Sequence, residues 1–262
     1  MGKILTVRLA RLIAALFAVS LLTFLLVEQL PGDPVFALLP PEALHDLATI
    51  ERIRTELQLD DPVLVRYGRW LADVVQGDLG KSYITDQPVA DAIRDRVPVT
   101  LELAFLATVF AAIIGIPLGA LCAYREGKRV DKAATGFTTA ALSVPSFLVG
   151  IFLIWLFTLK FRWLPSSGWA RISTKGVVAN LKSAALPALS LAFAPLAINA
   201  RLVRADMIGT LKENYVLSAR AKGLRNRYIL FRHALRPSSL TALTVLGLQL
   251  GALIGGTVVI ET

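Results

Sequence analysis

The sequence predicts an all-α, polytopic helical membrane protein. Of its 262 residues, 55% are hydrophobic and only 18% are charged, whereas a soluble domain of this size carries about a quarter charged residues. The apolar residues are concentrated in runs of about twenty, the length at which a helix crosses about 30 Å of hydrocarbon. A helix also pairs its backbone polar groups internally, as lipid requires.

Five apolar segments satisfy this length, and each is expected to form one span of a single transmembrane domain, 1–262. They cover residues 12–30, 99–123, 135–159, 183–200 and 240–260. The first follows three basic residues and could also suit a cleaved signal peptide. The residues after it lack the small-x-small pattern of a cleavage site, so we expect an uncleaved span.

Basic residues predict which side of the membrane each connection faces. With the N-terminus inside, the inner pieces 1–11, 124–134 and 201–239 hold 16 of the 28 Lys and Arg residues. The outer piece 31–98 is net negative, whereas the outer piece 160–182 has five basic and no acidic residues and opposes the trend. The bias in the short loops favours a cytoplasmic N-terminus.

The basic loops also account for the net charge of +9, because loops on the inner side of a membrane are basic and face anionic lipid. It therefore predicts contact with lipid and no nucleic-acid partner. The single cysteine, Cys122, excludes an internal disulfide, and the predicted topology separates the two histidines, His45 and His233, across the membrane. We find no metal-ligand spacing and no catalytic motif. The sequence thus predicts no enzyme activity, no metal site and no cofactor bound by this chain.

The outer piece 31–98 is the longest part of the chain outside the predicted spans. It has a helical pattern over 48–59 and again over 63–75, with Asp60, Asp61 and Pro62 between them and a turn at Gly77. It is too short and too poor in apolar residues for an independent domain. We expect an outer cap that packs on the spans.

The last span carries two features with different uses. Gly247, Gly251 and Gly255 recur every fourth residue, which places them on one helix face where another helix can approach closely. Gln249 lies near mid-span on a different face, where an amide is costly unless it is paired or wetted. Gln249 either bonds to a neighbouring helix or lines a polar path.

The inner piece 201–239 contains a helix-compatible stretch from Leu211 to Ala221, followed by Gly223, which suits the left-handed residue that ends a helix. Tyr215, Ala219 and Lys222 share one side of that helix, with a large anchor beside a small residue. An interfacial helix lying on anionic lipid is the alternative. A helix that lies on lipid usually has a more continuous apolar face than the stretch 211–221 has, so docking of a protein is favoured.

Nine stretches of the chain form a pattern that is specific in its order and spacing. They are Leu30-Pro-Gly-Asp-Pro34, Leu57-Gln-Leu-Asp-Asp-Pro62, Gly77-Asp-Leu-Gly-Lys-Ser82, Pro98-Val-Thr-Leu-Glu-Leu103, Gly115-Ile-Pro-Leu-Gly119, Ser143-Val-Pro-Ser-Phe147, Leu186-Pro-Ala-Leu189, Ala219-Arg-Ala-Lys-Gly-Leu224 and Thr244-Val-Leu-Gly-Leu-Gln-Leu-Gly251. In these stretches the chain resembles the inner-membrane permease subunits of ATP-binding-cassette (ABC) importers, specifically the first permease of the dipeptide/oligopeptide/nickel group.

The resemblance implies that 201–239 holds the coupling segment of this family, the EAA loop, which docks on an ATPase subunit. Aligned on Gly223, Ala219 matches the second alanine of the motif, and the acid position falls on Leu217, not on Glu213. The ATPase-coupling residues it implies are Tyr215, Ala219, Arg220, Lys222 and Gly223. Gln249, with Ser143 and Ser146, is expected along the translocation path.

The resemblance also implies an assembly with a type I importer architecture. A second, homologous permease would pair with this one through the glycine face. Two ATPase subunits that use ATP and Mg²⁺ would bind inside, and a substrate-binding protein would bind outside. The membrane would be the cytoplasmic membrane of a bacterium or archaeon. Family members usually have six spans, so the five found before Thr262 suggest a chain that lacks the last one.

Peptides are the expected substrate, and nickel chelates or another small solute are the alternatives within the same importer type. Two other classes stay open from the residues alone. A secondary transporter or channel that works without ATP would show inverted internal repeats, which the sequence lacks. A membrane enzyme or scaffold would need a catalytic constellation that is missing.

Overall fold

The computed structural model describes residues 2–29, 35, 47–56, 58–82, 85 and 87–256. The motif 30–34, residue His45 and the chain end at Thr262 lie outside this part. The chain forms two compact units, Met1–Asp95 and Arg96–Thr262. The helices are α1 (Gly2–Glu28), α2 (Leu47–Glu56), α3 (Val63–Gln76), α4 (Val89–Tyr124), α5 (Arg129–Ser143), α6 (Ser146–Ile154), α7 (Ile172–Thr210), α8 (Asn214–Ala221), α9 (Asn226–Tyr228) and α10 (Arg236–Gly256).

The all-α fold that the composition predicts is confirmed. Within the described residues, four helical stretches are long and apolar enough to cross a membrane: Lys3–Glu28, Val89–Tyr124, Ile172–Thr210 and Asn226–Ile254. The last one combines α9, the π-helical stretch Ile229–Leu235 and α10. A fifth span results if α5 and α6 are counted together.

Several helices are longer than the apolar runs that predict them. The helix α4 begins at Val89, ten residues before the expected span, and α7 continues to Thr210, ten residues past it. Hydropathy marks only the part of a helix that suits lipid, whereas the helix itself continues until a residue stops it. One interruption inside α7 lies at Gly176, where φ is +77°. Much of the predicted loop 201–239 is therefore helical.

The third predicted span is not a single straight helix. The helix α5 ends at Ser143, and α6 starts at Ser146 and continues as a π-helix over Trp155–Lys160, with a bend of 104° between the two arms. Pro145 causes the break, since the residue before a proline is pushed out of the helical region. Val144 accordingly has extended backbone angles, φ −97° and ψ 123°.

In the first unit, α3 packs against α1 through aromatic side chains. The ring of Tyr67 lies edge-on to the rings of Phe17 and Phe24, at centroid distances of 5.8 and 5.5 Å. The Tyr67 hydroxyl also hydrogen-bonds to Ser20 Oγ at 2.9 Å. The two helices predicted in the outer cap are present as α2 and α3, and Gly77 ends α3 with a φ of +91°. The placement of the cap on the spans stays a prediction.

In the second unit, α7 is the central helix, and α5, α6 and α10 pack around it. Alanine is the commonest residue at its buried positions, and its small side chain lets neighbouring backbones come close. The closest approach is to α4, where a Cβ added at Gly119 would lie 2.5 Å from the carbonyl oxygen of Ala200, and one at Gly115 would lie 2.8 Å from that of Leu196. These two glycines allow the helices α4 and α7 to touch.

Candidate functional site

The candidate site is the short helix α8 and the turn that ends it. Beyond Ala221 the Leu224 N–H donates to the Ala219 carbonyl at 3.3 Å, and the Gly223 N–H donates to the Arg220 carbonyl at 2.9 Å. Gly223 has a φ of +73°. This pair of hydrogen bonds around a left-handed residue is a Schellman motif. The prediction that Gly223 ends the helix in the left-handed conformation is confirmed.

The helix α8 has a buried and an exposed face, and the division differs from the one expected. Val216 is fully buried, and Ala219, three residues later, is 5% exposed. Both pack against Ile229 at the start of the π-helical stretch. Ala219 therefore does not share an open surface with Tyr215 and Lys222. Its small side chain lets the returning chain cover α8, because Val216 on the same face needs burial.

The exposed face of α8 combines apolar and basic side chains. Tyr215 and Leu217 are 47% and 48% exposed, and Arg220 and Lys222 are exposed as well. Phe231, on the returning stretch, is 58% exposed. We did not single out Leu217 and Phe231 from the sequence, although two large apolar residues in a loop rich in arginine are a signal that could have identified them. Exposed apolar side chains beside cations suit a protein interface.

Three contacts connect α8 to the bundle. Leu211 packs both against the cluster around Val216 and against the cluster of buried residues at the ends of α4 and α7. The Tyr215 hydroxyl donates to the carbonyl of His233 at 3.2 Å. Lys212 lies 3.9 Å from the carboxylate of Glu126, in the connection between α4 and α5. These contacts join α8 and the turn before it to the helices on both sides.

A buried ion pair joins the first turn of α5 to α7. Asp131, in the first turn of α5, accepts two hydrogen bonds from the guanidinium of Arg204 in α7, at 2.5 and 2.8 Å. Asp131 is 3% exposed, and its carboxylate also accepts the backbone N–H of Gly127 at 2.9 Å. The pair fixes the first turn of α5 to α7. Sequence analysis missed it, since an acid and an arginine 73 residues apart give no local signal.

Gln249 is bonded to a neighbouring helix. The Nδ2 group of Asn199, a fully buried residue of α7, donates to Gln249 Oε1 at 2.9 Å and to the carbonyl of Pro195 at 2.8 Å. Within the described residues, Asn199 Oδ1 and Gln249 Nε2 are buried without a hydrogen-bond partner. One acceptor of this pair and one donor group therefore have unsatisfied hydrogen-bonding capacity. A role for Gln249 along the translocation path stays a prediction.

Ser143 and Ser146 lie on the two sides of the bend between α5 and α6. The Ser143 hydroxyl donates to the carbonyl of Thr139 at 3.2 Å, within its own helix. The carbonyl of Ser146 accepts the hydroxyl of Ser190 in α7 at 2.9 Å. These bonds hold the bend in place. Both serines were expected along the path, and that expectation stays a prediction.

The predicted glycine face of α10 is open on the surface of this chain. A Cβ added at Gly247 or Gly251 would meet nothing within 4 Å, and both residues are exposed. Gly255 belongs to the same helix, but its surroundings lie outside the described residues. The opposite face of α10 carries Leu246 and Gln249, which contact α7. The face that was expected to serve close packing has no helix of the described chain against it.

The described part of the chain holds no group of three or more His, Cys, Asp and Glu side chains that could bind a metal ion. The site is instead a surface with an apolar anchor, cations and a rigid turn. Its geometry suits docking of another protein.

Comparison with known families gives two matches that together cover almost the whole sequence. The family described as binding-protein-dependent transport system inner membrane component matches residues 115–262. The N-terminal family of the same transport components matches residues 1–104. The site helix α8 lies within the first match.

Individual relatives align over almost the full chain. A Brucella abortus protein named as a peptide transport system permease is 38% identical over 97% of this chain and 80% of its own length. The glutathione transport system permease protein GsiC of Shigella flexneri is 37% identical over 97% of this chain and 79% of its own. A Sinorhizobium fredii protein named as a peptide ABC transporter permease is 35% identical over all of this chain and 83% of its own.

Proposed function

Because the chain belongs to the family of binding-protein-dependent transport system inner membrane components, we propose that it forms half of the translocation pathway of an ABC importer for short peptides. It is a permease component and not the catalytic one. The substrate assignment rests on the names of its relatives, which are peptide and glutathione permeases. Glutathione is itself a short peptide, so these names favour a peptide over a nickel chelate.

The exposed face of α8 is the observation that carries the mechanism. Tyr215 and Leu217 provide apolar area, and Arg220 and Lys222 provide charge at the rim. The Schellman turn at Gly223 fixes the direction in which the chain leaves the helix. In this proposal α8 occupies a groove of an ATPase subunit, and Ala219 acts indirectly by allowing Ile229 to cover the helix from behind.

ATP and Mg²⁺ act in the partner subunits. Closure of two ATPase subunits around ATP moves α8, and the contacts at Leu211 and His233 pass this movement to α7 and α10. The spans then alternate between inward-facing and outward-facing arrangements. A substrate-binding protein delivers the peptide on the opposite side of the membrane.

A second, homologous permease completes the pathway. The open glycine face at Gly247 and Gly251 offers it a place for close helix contact. The complex lies in the cytoplasmic membrane with α8 and the N-terminus of this chain in the cytoplasm, as the basic loops predict. Gln249 and Asn199 then face a polar path with their open amide groups, together with Ser143 and Ser146.

Reconstitution of the complete importer tests this function. The chain is co-expressed with the genes that neighbour it, and the purified complex is assayed for ATP-dependent uptake of a dipeptide and of a nickel chelate. We expect an ATPase subunit to co-purify and peptide uptake to require ATP and the binding protein. Uptake without any ATPase subunit would instead support a secondary transporter.

A further inference from the structure

A cavity of about 460 Å³ lies inside the second unit, at the end of the bundle away from α8. It is lined by residues of the first half of α4, by the helix α6, by the connection 165–169 and by residues 183–190 of α7. Arg96 lies at its edge, and an α-helix rising about 1.5 Å per residue carries α4 about 40 Å from there to Tyr124. The cavity falls in the size range of small-molecule pockets, about 300 to 1,000 Å³.

The outer wall of the cavity is fixed in place by three hydrogen bonds. The indole N–H of Trp169 donates to the carboxylate of Glu102 at 2.8 Å. The backbone N–H of Ala170 donates to Ser183 Oγ at 3.2 Å, and the carbonyl of Ala170 accepts from Asn180 Nδ2 at 3.0 Å. Asn180 is 1% exposed, so this anchor is inside the fold. The connection 165–169 is therefore a preformed wall.

The charge on the cavity lining is positive. Arg96 is the cation among the lining residues, which include no acid. Within the described residues, the Arg96 guanidinium has no ion-pair partner, and neither of the hydroxyls of the lining residues Ser166 and Ser167 has a hydrogen-bond partner. The remaining surface is largely apolar and includes Leu103 and Ile154. A ligand with one anionic end and an apolar body fits this distribution.

We propose that this cavity is a transit site that binds the C-terminal carboxylate of the transported peptide through Arg96, with Ser166 and Ser167 as additional donors. This inference rests on the proposed function, which sets the end with Arg96 outside, where the peptide arrives. The planar guanidinium presents parallel N–H groups that match a carboxylate. Short peptides differ in their side chains but share the free carboxylate, so the site accepts many sequences.

The test compares a dipeptide with the same dipeptide amidated at its C-terminus in the reconstituted importer. The measured quantity is the ratio of kcat/KM for the free acid to kcat/KM for the amide. The binding protein has its own preference between the two, but that preference is identical in every permease variant. A change in the ratio caused by a permease substitution therefore reports on the permease alone.

We expect Arg96→Gln to lower the acid-to-amide ratio about tenfold relative to the unmodified importer, and Arg96→Lys to lower it less. Lys182→Gln serves as the matched control, since Lys182 directly precedes the lining residue Ser183 but does not itself line the cavity. It should leave the ratio unchanged. Elution of each purified variant complex at the same volume as the unmodified importer in size-exclusion chromatography verifies that the variant is folded and assembled.

Two results would overturn the transit site. One is an acid-to-amide ratio that stays the same in Arg96→Gln while uptake of the acid persists, and the other is an equal change in Lys182→Gln. The first result would reassign Arg96 to a membrane-surface role, such as contact with lipid phosphate. Failure of the proposed function is a separate outcome, because the unmodified importer would then take up neither peptide.

Discussion

Arg204 donates two hydrogen bonds to the carboxylate of Asp131, and this contact joins α7 to the first turn of α5. Asp131 is almost fully buried, whereas about a third of the Arg204 side chain is exposed. The same carboxylate accepts the N–H of Gly127 and so shapes the turn between α4 and α5. A single acid therefore connects the turn after α4, the first turn of α5 and the helix α7.

Replacing Asp131 with asparagine should destabilise the chain more than any surface charge change. Removing one partner leaves the other charge without compensation, which costs about 3 to 5 kcal/mol in a fully buried pair. Partial exposure of Arg204 reduces this, so we expect about 2 to 3 kcal/mol. Thermal unfolding of the purified complex in detergent measures it. Lys212→Ala, which removes an exposed partner of Glu126, is the control and should change little.

The double variant Asp131→Asn with Arg204→Met should recover much of that loss, since it leaves no unpaired charge. Thermal unfolding of this variant under the same conditions gives the comparison. A double variant no more stable than Asp131→Asn alone would show that the pair is not what stabilises this end of the bundle.

Gly119→Val should prevent α4 from packing on α7. Even a Cβ at this position would lie 2.5 Å from the Ala200 carbonyl oxygen and 2.9 Å from Val203 Cβ, so the helices would have to separate. We expect a loss of about 2 to 3 kcal/mol, in the upper part of the range for overpacking. Protease resistance of the expressed chain is a convenient readout. Gly136→Val is a matched control because a Cβ at Gly136 meets nothing within 4 Å.

Gly251→Leu should leave this chain folded but weaken its association with the second permease. A side chain there meets no atom of the described chain, whereas a partner helix at close range would clash with it. Co-purification of the two permeases, quantified against Leu240→Ala on the same helix, measures the effect. Equal recovery of the partner in both variants would remove α10 from the permease interface.

Gly223→Asn should preserve transport better than Gly223→Val. Asparagine tolerates the left-handed conformation, but a β-branched residue at a φ of +73° does not. We expect Gly223→Val to reduce ATP-dependent uptake at least tenfold while the amount of membrane-inserted chain stays the same. If both variants transport equally well, the turn after α8 does not matter for coupling.

Some of these features follow from the sequence and others do not. The helices of the spans were predictable because lipid requires long apolar runs, and the end of α8 was predictable because Gly223 is a local signal. The packing partners of the glycines in the spans were not predictable. A Cβ added at Gly115 or Gly119 would clash with α7, whereas one added at Gly247 or Gly251, at the same spacing, would meet nothing within 4 Å in the described chain. Spacing identifies a face that permits close approach, but the partner comes from tertiary packing.

The buried face of α8 is likewise decided by tertiary packing and not by a local signal. Ala219 suggested an open surface because it is small and lies in a polar stretch. The structure buries it because Val216 and Ile229 need an apolar contact, and Ala219 is the residue that makes room for it. The bend at Pro145 was only partly predictable, since a proline in a span can also be accommodated by a kink. Its angle of 104° depends on how α6 packs on α7.

Site-specific cross-linking from α8 tests whether this helix docks on the ATPase. The chain contains one cysteine, Cys122, which is 3% exposed, so an engineered cysteine will dominate the reaction. Leu217→Cys places a thiol on the exposed face, and Val216→Cys places one on the buried face beside it. We predict that a short bifunctional reagent links the ATPase subunit to Leu217→Cys and not to Val216→Cys. An active importer in which neither variant, or only Val216→Cys, is linked to the ATPase would contradict the assignment of α8 as the coupling helix.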